Sequence, residues 1–365
     1  METDMRSRRD FLAGILASGL APKTGWSAVG CPIFLSAARH PDGRHCLLGL
    51  NASGRALFEI ALPTRGHAAA AHPTRPEAVI FARRPGRFGL VLDCITGKQT
   101  KDLFAPQGRH FYGHGAFSID GTRLFTTEND YAAGRGVIGV WAADHNFARL
   151  GEFASGGIGP HDILRLPGSD ILVVANGGIE THPHSGREKL NLSTMRPNLT
   201  YLSTEGCVLE QVEMPRLLRM NSIRHLAARS DGLIAFAMQA QTRSGAMAGL
   251  LGFHQMGEPP RLSIYPPAAL RTLRGYIGSV SFNANGRQLA VTSSRGGVAH
   301  FIDVEQQCYL HAAPIHDVSG IGANGSGFLA TSGTGRLTFF VSSQIADSHK
   351  SIYQWDNHLI RIPVG

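Results

Sequence analysis

A strand, a tight turn and a second strand recur seven times along this 365-residue chain, and that repeat narrows the possible folds more than any other feature. The segment IFLSAARHPDGRHCLLGLNASGRALFEIAL, from Ile33, reads as strand, turn at Asp42-Gly43, strand, turn at Ser53-Gly54, strand. The same grammar returns from Gly66, Gly113, Pro160, Ile223, Gly278 and about Val318. Its short apolar runs are punctuated by Gly and Pro, and no segment keeps a 3.6-residue period long enough for paired helices. Units of this size stack as four-stranded antiparallel blades, each burying both faces against its neighbours, and closing the ring leaves only short edges. The expected fold is all-β, a seven-bladed β-propeller over residues 31–365. The C-terminal stretch Trp355 to Pro363 reads as one more strand that completes a terminal blade and joins the chain ends. Two separate β-sandwiches are the alternative.

Composition agrees with a packed, turn-rich protein: 43% hydrophobic and 17% charged residues, with 44 Gly and 19 Pro, leave little room for disorder. The formal charge of +8 comes from scattered arginines without a basic run or an interleaved aromatic platform, so nucleic-acid binding is not expected. An anionic ligand or a cell-envelope setting fits the positive balance as well.

The N-terminus carries a compartment signal. Arg8 and Arg9 stand before Phe11 and Leu12 in RSRRDFLA, and a weakly apolar run to Ala21 follows, too short to span a bilayer. This is the pattern of a bacterial twin-arginine export signal, taken to cover residues 1–30, and it implies a periplasmic protein exported already folded. Membrane attachment is expected only if the signal stays uncleaved or Cys31, in a loose lipoprotein-like box, is lipidated. The other cysteines, Cys46, Cys94, Cys207 and Cys308, have no metal-ligand or redox spacing, and all four fall in expected strands.

Counting back seven residues from the turn glycine of each unit reaches His114 (from Gly121), His161 (from Gly168) and His225 (from Gly232). His67 lies seven before Thr74 in the matching turn. In the first and sixth units the same count reaches Ser36 and Ser279, and His358 has a comparable place in the last strand. If the first strand of each unit is innermost, His67, His114, His161 and His225 share one level of the central channel and are candidate metal ligands. Neutral imidazoles suit zinc, copper or iron, and Asp162 is a candidate carboxylate behind them. The competing structural role is the hydrogen-bonded tetrad of WD-type blades, which the third unit can supply with His114, Thr126, Asp130 and Trp141.

The ends of the second strands add candidate ligand-binding residues at the same mouth: Arg83, Arg84, Glu128, Asn129, Asn176 and Gln239. A long insertion, Gly178 to Asn198, should lie over that mouth with His182, His184, Arg187, Glu188 and Lys189. Glu128 or Glu180 with a nearby histidine could act as general acid and base, a weak pointer to an enzyme. No nucleophile elbow, Walker loop, CxxCH haem site or paired CxxC is present.

The blocks FARRPGRFGLVLD, FYGHGAFSIDGTRLFTTEND, GVIGVW, GEFASGGIGPHDI, VVANGGIETHPHSGREKLNLSTMRPNLTYL, SIRHLA and WDNHL resemble a family of bacterial exported proteins, domain of unknown function 1513. The resemblance implies a periplasmic propeller akin to the YVTN/WD40-like and amine-dehydrogenase heavy-chain groups. It further implies encoding beside imelysin-type and other iron-linked periplasmic proteins as partners, and it brings no established reaction. Ligand binding at a histidine-lined mouth, linked to iron or copper, is the expected function. A lactonase-like or redox enzyme and a protein-binding scaffold are the alternatives.

Overall fold

A computed structural model describes residues 25–82, 87–186, 188–242 and 249–363. Six four-stranded antiparallel sheets follow one another along the chain, and a seventh is assembled from both of its ends. Blade 2 runs from Gly66–Ala71 to Lys98–Phe104, blade 3 from Arg109–Phe117 to Ala148–Ala154 and blade 4 from Pro160–Arg165 to Val208–Glu213. Blade 5 begins with Asn221–Ala228, blade 6 with Ser279–Phe282 and blade 7 with Val318–Asn324. This is the expected seven-bladed propeller. Among the described residues one α-helix occurs, Pro267–Thr272, in the connection from blade 5 to blade 6.

Each blade grades from dry to wet, as strand composition requires. Second strands such as Glu77–Ala82 and Ile171–Asn176 are nearly all buried, whereas outermost strands such as Lys98–Phe104 and Gln344–Lys350 are mostly exposed and rich in Lys, Gln, Asp and Ser. The core is divided among the interfaces between blades, with one apolar cluster at each of the seven. Phe81 meets Phe111 and Trp141 between blades 2 and 3, and Phe301 meets Phe328 and Phe340 between blades 6 and 7. Sheet faces that alternate apolar residues toward both neighbours can be satisfied only by a closed ring.

The first blade departs from expectation in one respect that matters for the site. Phe34–Arg39 forms the second strand of its blade, with His45–Leu50 and Ala56–Leu62 outside it. The innermost position is taken by the C-terminal pieces Gln354–Trp355 and Ile360–Arg361, which pair with Phe34–Arg39. Ser36 therefore does not stand in the channel row of the other blades; its hydroxyl donates to the His358 carbonyl at 3.0 Å. The turn at Gly43 consequently faces the opposite end of the ring from Gly121, and the seven-residue count places Ser36 on the wrong strand.

The cysteines are all free. Cys46 and Cys94 are buried, and burial raises both thiols to about 12, with acidic neighbours (Glu59 for Cys46, Asp93 for Cys94) adding to it. Cys94 lies just past a strand end and Cys207 in an exposed turn, so the expectation that both sit in strands is corrected. Cys31 is exposed. The twin-arginine stretch lies outside the described residues.

Candidate functional site

The first strands of successive blades pack side by side around the channel, and the C-terminal pieces fit between blades 7 and 2. These innermost strands are not regular. In blade 2 the pairing jumps from Gly66↔Ala82 to Ala69↔Ile80, leaving His67 in a bulge. In blade 3 it jumps from Phe111↔Glu128 to Gly115↔Thr126 around His114, and in blade 4 from Pro160↔Asn176 to Asp162↔Ala175 around His161. In blade 5 Arg224 is the extra residue beside His225. In blade 1 residues 356–359 oppose only Ser36 and Ala37, and His358 is among them. A bulge frees a side chain from the two-residue alternation of its strand and re-aims it. Here it brings an imidazole from five consecutive blades into one place.

The five rings form a compact cluster. Ring centroids are 4.6 Å apart for His67 and His358, 4.8 Å for His114 and His358, 5.2 Å for His67 and His114, and 5.1 Å for His114 and His161. His161 and His225 are 4.9 Å apart, and His225 reaches His358 at 5.1 Å, which closes the group. Two overlapping trios have nitrogens all within 4.8 Å of one another: His67, His114 and His358, and His114, His161 and His225. A tetrahedral ion with bonds of about 2.0–2.1 Å holds its ligand atoms roughly 3.3 Å apart, so small ring rotations suffice to bring either trio onto a metal.

The polar contacts decide which nitrogen each ring offers. His114 Nδ1 sits 2.9 Å from Asp162 Oδ1, across the boundary between blades 3 and 4. The other Asp162 oxygen accepts the Leu226 N–H of blade 5 at 3.0 Å, and Oδ1 also accepts the Ile163 N–H at 2.8 Å. Burial opposes ionisation of Asp162, but His114 and His225, with the Leu226 N–H, hold its pKa below the usual carboxylate range. An ionised carboxylate only accepts, so the His114 proton sits on Nδ1, and Nε2 faces the cluster buried and without a hydrogen-bond partner. His161 Nδ1 donates to the Arg224 carbonyl at 2.8 Å, which leaves its Nε2 lone pair available in the same way. Burial, then Arg224 and the neighbouring imidazoles, pushes His161 well below 6.5. Burial pushes His225 down to about 3, with Asp162 acting in the opposite sense. Both rings are neutral at pH 7, the form that ligates a metal.

The WD-type tetrad does not form around His114. Trp141 Nε1 does donate to Thr126 Oγ1 at 2.9 Å, but Thr126 turns to Glu128, and Asp130 pairs with Arg135 and Arg109.

The second-strand candidates are not brought to the histidines. Glu128 is fully buried within blade 3 and clamped by Arg149 through two hydrogen bonds of 2.8 and 3.0 Å. Asn176 is equally buried and saturated by Ser155, Asn198 and Thr200. Asn129 donates to the Thr181 carbonyl and thereby fastens the insertion to blade 3. Gln239 donates to the Ile277 carbonyl between blades 5 and 6. Arg83, Arg84 and Arg187 lie outside the described residues.

The insertion between Asn176 and Asn198 lies at the channel end that was expected. Its Ser193 carbonyl accepts from Arg219 in the connection to blade 5. His182 and His184 lie near each other, 5.1 Å between centroids, beside Tyr131 rather than in the buried cluster. Lys189 is lowered by burial and by the nearby charges of Arg224 and Arg295. A cavity of about 710 Å³ lies elsewhere: it is lined by Arg229, Arg261, Arg287, Asp303 and Glu305 of blades 5 and 6 and touches none of the histidines.

One contributor escapes a strand-by-strand count and another is only half caught by it. Arg224 acts through its backbone carbonyl, and His358, which the count places as comparable, lies between the two C-terminal pieces that complete a blade begun at the other end of the chain. The Gly-His pairing in FYGHGAF is the one available signal of close packing: Gly113 has φ +107°, and a Cβ there would lie 2.5 Å from the His67 ring.

The family described as "Protein of unknown function (DUF1513)" matches residues 60–362. The chain belongs to the DUF1513 family. No curated protein matches this DUF1513 member. Among solved structures, hydrazine synthase of Kuenenia stuttgartiensis is similar, with a TM-score of 0.60 and 13% identity over 92% of this chain and 98% of that one. At that identity the likeness concerns the fold alone.

Proposed function

We propose that this DUF1513 protein is an exported, periplasmic metal-binding propeller that holds one late first-row transition-metal ion, iron, copper or zinc, in its channel. The observation that carries it is His114 Nε2, a buried nitrogen with no hydrogen-bond partner, aimed at four other imidazoles while Nδ1 is held by Asp162. A structural histidine satisfies both nitrogens, because a buried polar atom left unpaired costs about 1–3 kcal/mol. A carboxylate behind a histidine is what fixes the tautomer of a metal ligand.

The donor set favours particular ions. All-imidazole coordination suits zinc, copper and iron, whereas magnesium, calcium and manganese prefer carboxylate and carbonyl oxygens. One ion is expected rather than two. The two trios share His114, whose Nδ1 is committed to Asp162, so only Nε2 can bind. Export through the twin-arginine route and a place in iron or copper handling belong to the same proposal; Arg8 and Arg9 and the family resemblance support them.

Metal analysis of the exported protein tests this, wild type against a His114→Ala variant, which removes the one ligand common to both trios. The expected result is about one equivalent of metal in the wild type and a marked loss in the variant. No stoichiometric metal in either sample, as purified or after incubation with zinc or copper, overturns the proposal.

A further inference from the structure

We propose that the metal latches the ring: an ion bound to His67, His114 and His358 ties the C-terminal strand into blade 1 and closes the propeller. This rests on the metal-binding function above and adds a mechanical role to the same site.

Six blades join their innermost strand to the second by a hairpin turn, so that strand cannot leave without breaking its own sheet. In blade 1 the innermost strand arrives from the far end of the chain, with no hairpin turn joining it to the second strand. Its pairing there is short and interrupted: Arg39↔Gln354 and Ala38↔Trp355 at one end, Leu35↔Ile360 and Phe34↔Arg361 at the other. Between them, the Asp356 N–H donates to the Ala37 carbonyl and the Ser36 hydroxyl to the His358 carbonyl. Side chains add the Arg65–Asp356 ion pair and the packing of Trp355 and Leu359 against Leu329 and Leu337. Closing a ring of this length costs loop entropy, and this is the one seam where no covalent turn shares that cost.

The gap in the pairing is where His358 enters the cluster. Its partners in the metal trio come from blades 2 and 3, so an ion there bonds the closing strand across to the blades beyond it. The second trio, His114, His161 and His225, uses no residue of the closing strand and binds metal whether or not the seam is shut. The shared His114 therefore links a site that senses closure to one that does not. A ligand that binds the closed ring better than the open one shifts the balance toward closure by mass action.

Hydrogen exchange of the peptide covering residues 351–363, with and without zinc, tests the latch in the full chain. In the wild type, zinc is expected to slow exchange there by roughly tenfold or more. In His358→Ala, zinc still binds through His114, His161 and His225, and the slowing is lost. Zinc bound to the wild type with no slowing of residues 351–363 overturns the latch and leaves the metal site standing. Equal slowing in His358→Ala overturns it as well, because protection then does not pass through His358. No zinc bound to either protein overturns the metal site itself, and the latch with it. If His358→Ala does not fold, the wild-type comparison alone still decides.

Discussion

His114 of blade 3 and Asp162 of blade 4 meet at 2.9 Å across a blade boundary, and this contact determines which nitrogen His114 presents to the channel. The same carboxylate reaches Leu226 in blade 5, so one side chain registers three blades against one another at the level of the histidines.

Asp162→Asn tests that role. An amide has one acceptor oxygen for donors on both sides: facing Leu226 it turns its NH2 against His114 Nδ1 and the Ile163 N–H, and facing His114 it turns it against the Leu226 N–H. Either way the negative charge that holds the His114 ring in place is gone. Zinc affinity measured by chelator competition should fall by about 10–100-fold. Asp162→Ala should lose stability as well, because it strips the acceptor from the Leu226 N–H. Unchanged zinc affinity in Asp162→Asn would mean that His114 is not a ligand.

The metal-free protein should be less stable in mild acid. His225 titrates at about 3 and His161 well below 6.5 in the folded state, against about 6.5 when unfolded. The unfolded chain therefore binds more protons between pH 6.5 and the folded values, so stability is complete above pH 6.5 and declines as pH falls below it. At pH 5 the loss from His225 should be on the order of 2 kcal/mol, with His161 adding in the same direction, read as a lower urea midpoint than at pH 7.5. His161→Gln/His225→Gln should flatten that dependence. Equal slopes for the variant and the wild type would exclude these two rings as its source.

Gly113→Ala should damage the site without touching a ligand. The backbone there has φ +107°, and the new Cβ would lie 2.5 Å from the His67 ring, so either the bulge or the imidazole must move. Zinc affinity should drop while the far-UV spectrum stays that of a β protein. Gly168→Ala, also at positive φ but with open space around it, serves as the control: strain there should cost stability and leave zinc affinity alone.

The fold was legible because blade grammar is local: short apolar runs, turn glycines and the absence of helical periodicity lie within each repeat. The histidine row was legible for a related reason, since His67, His114, His161 and His225 keep a constant distance from the turn that reverses their strand. What made the row a cluster was not legible. Bulges exist only in the pairing of two strands, so nothing in PHDIL or RHLAA announces that His161 and His225 meet. Glu128 and Asn176 show the limit from the other side. A polar residue near a strand end can face the channel or the interior of its own blade, and here Arg149 and Ser155, from the outermost strand of blade 3 and its exit, claim them. Ser36 and His358 were misjudged and undervalued together, because the strand that completes blade 1 comes from the opposite end of the chain.

Glu128→Gln separates the blade from the channel. Glu128 is fully buried and accepts two hydrogen bonds from the Arg149 guanidinium, which also lies 4.9 Å above the Trp141 ring. Removing one charge of a buried pair leaves the other uncompensated, a loss of about 3–5 kcal/mol that shows in a lower unfolding midpoint. Glu152 at 3.1 Å gives Arg149 a second acceptor nearer the surface, which places the effect toward the lower end of that range. Because the pair lies within blade 3 and the metal ligands sit on channel-facing bulges, zinc stoichiometry and affinity should be those of the wild type while the fold persists. Loss of zinc binding from a folded Glu128→Gln protein would return Glu128 to the site and undo its assignment to the interior of blade 3.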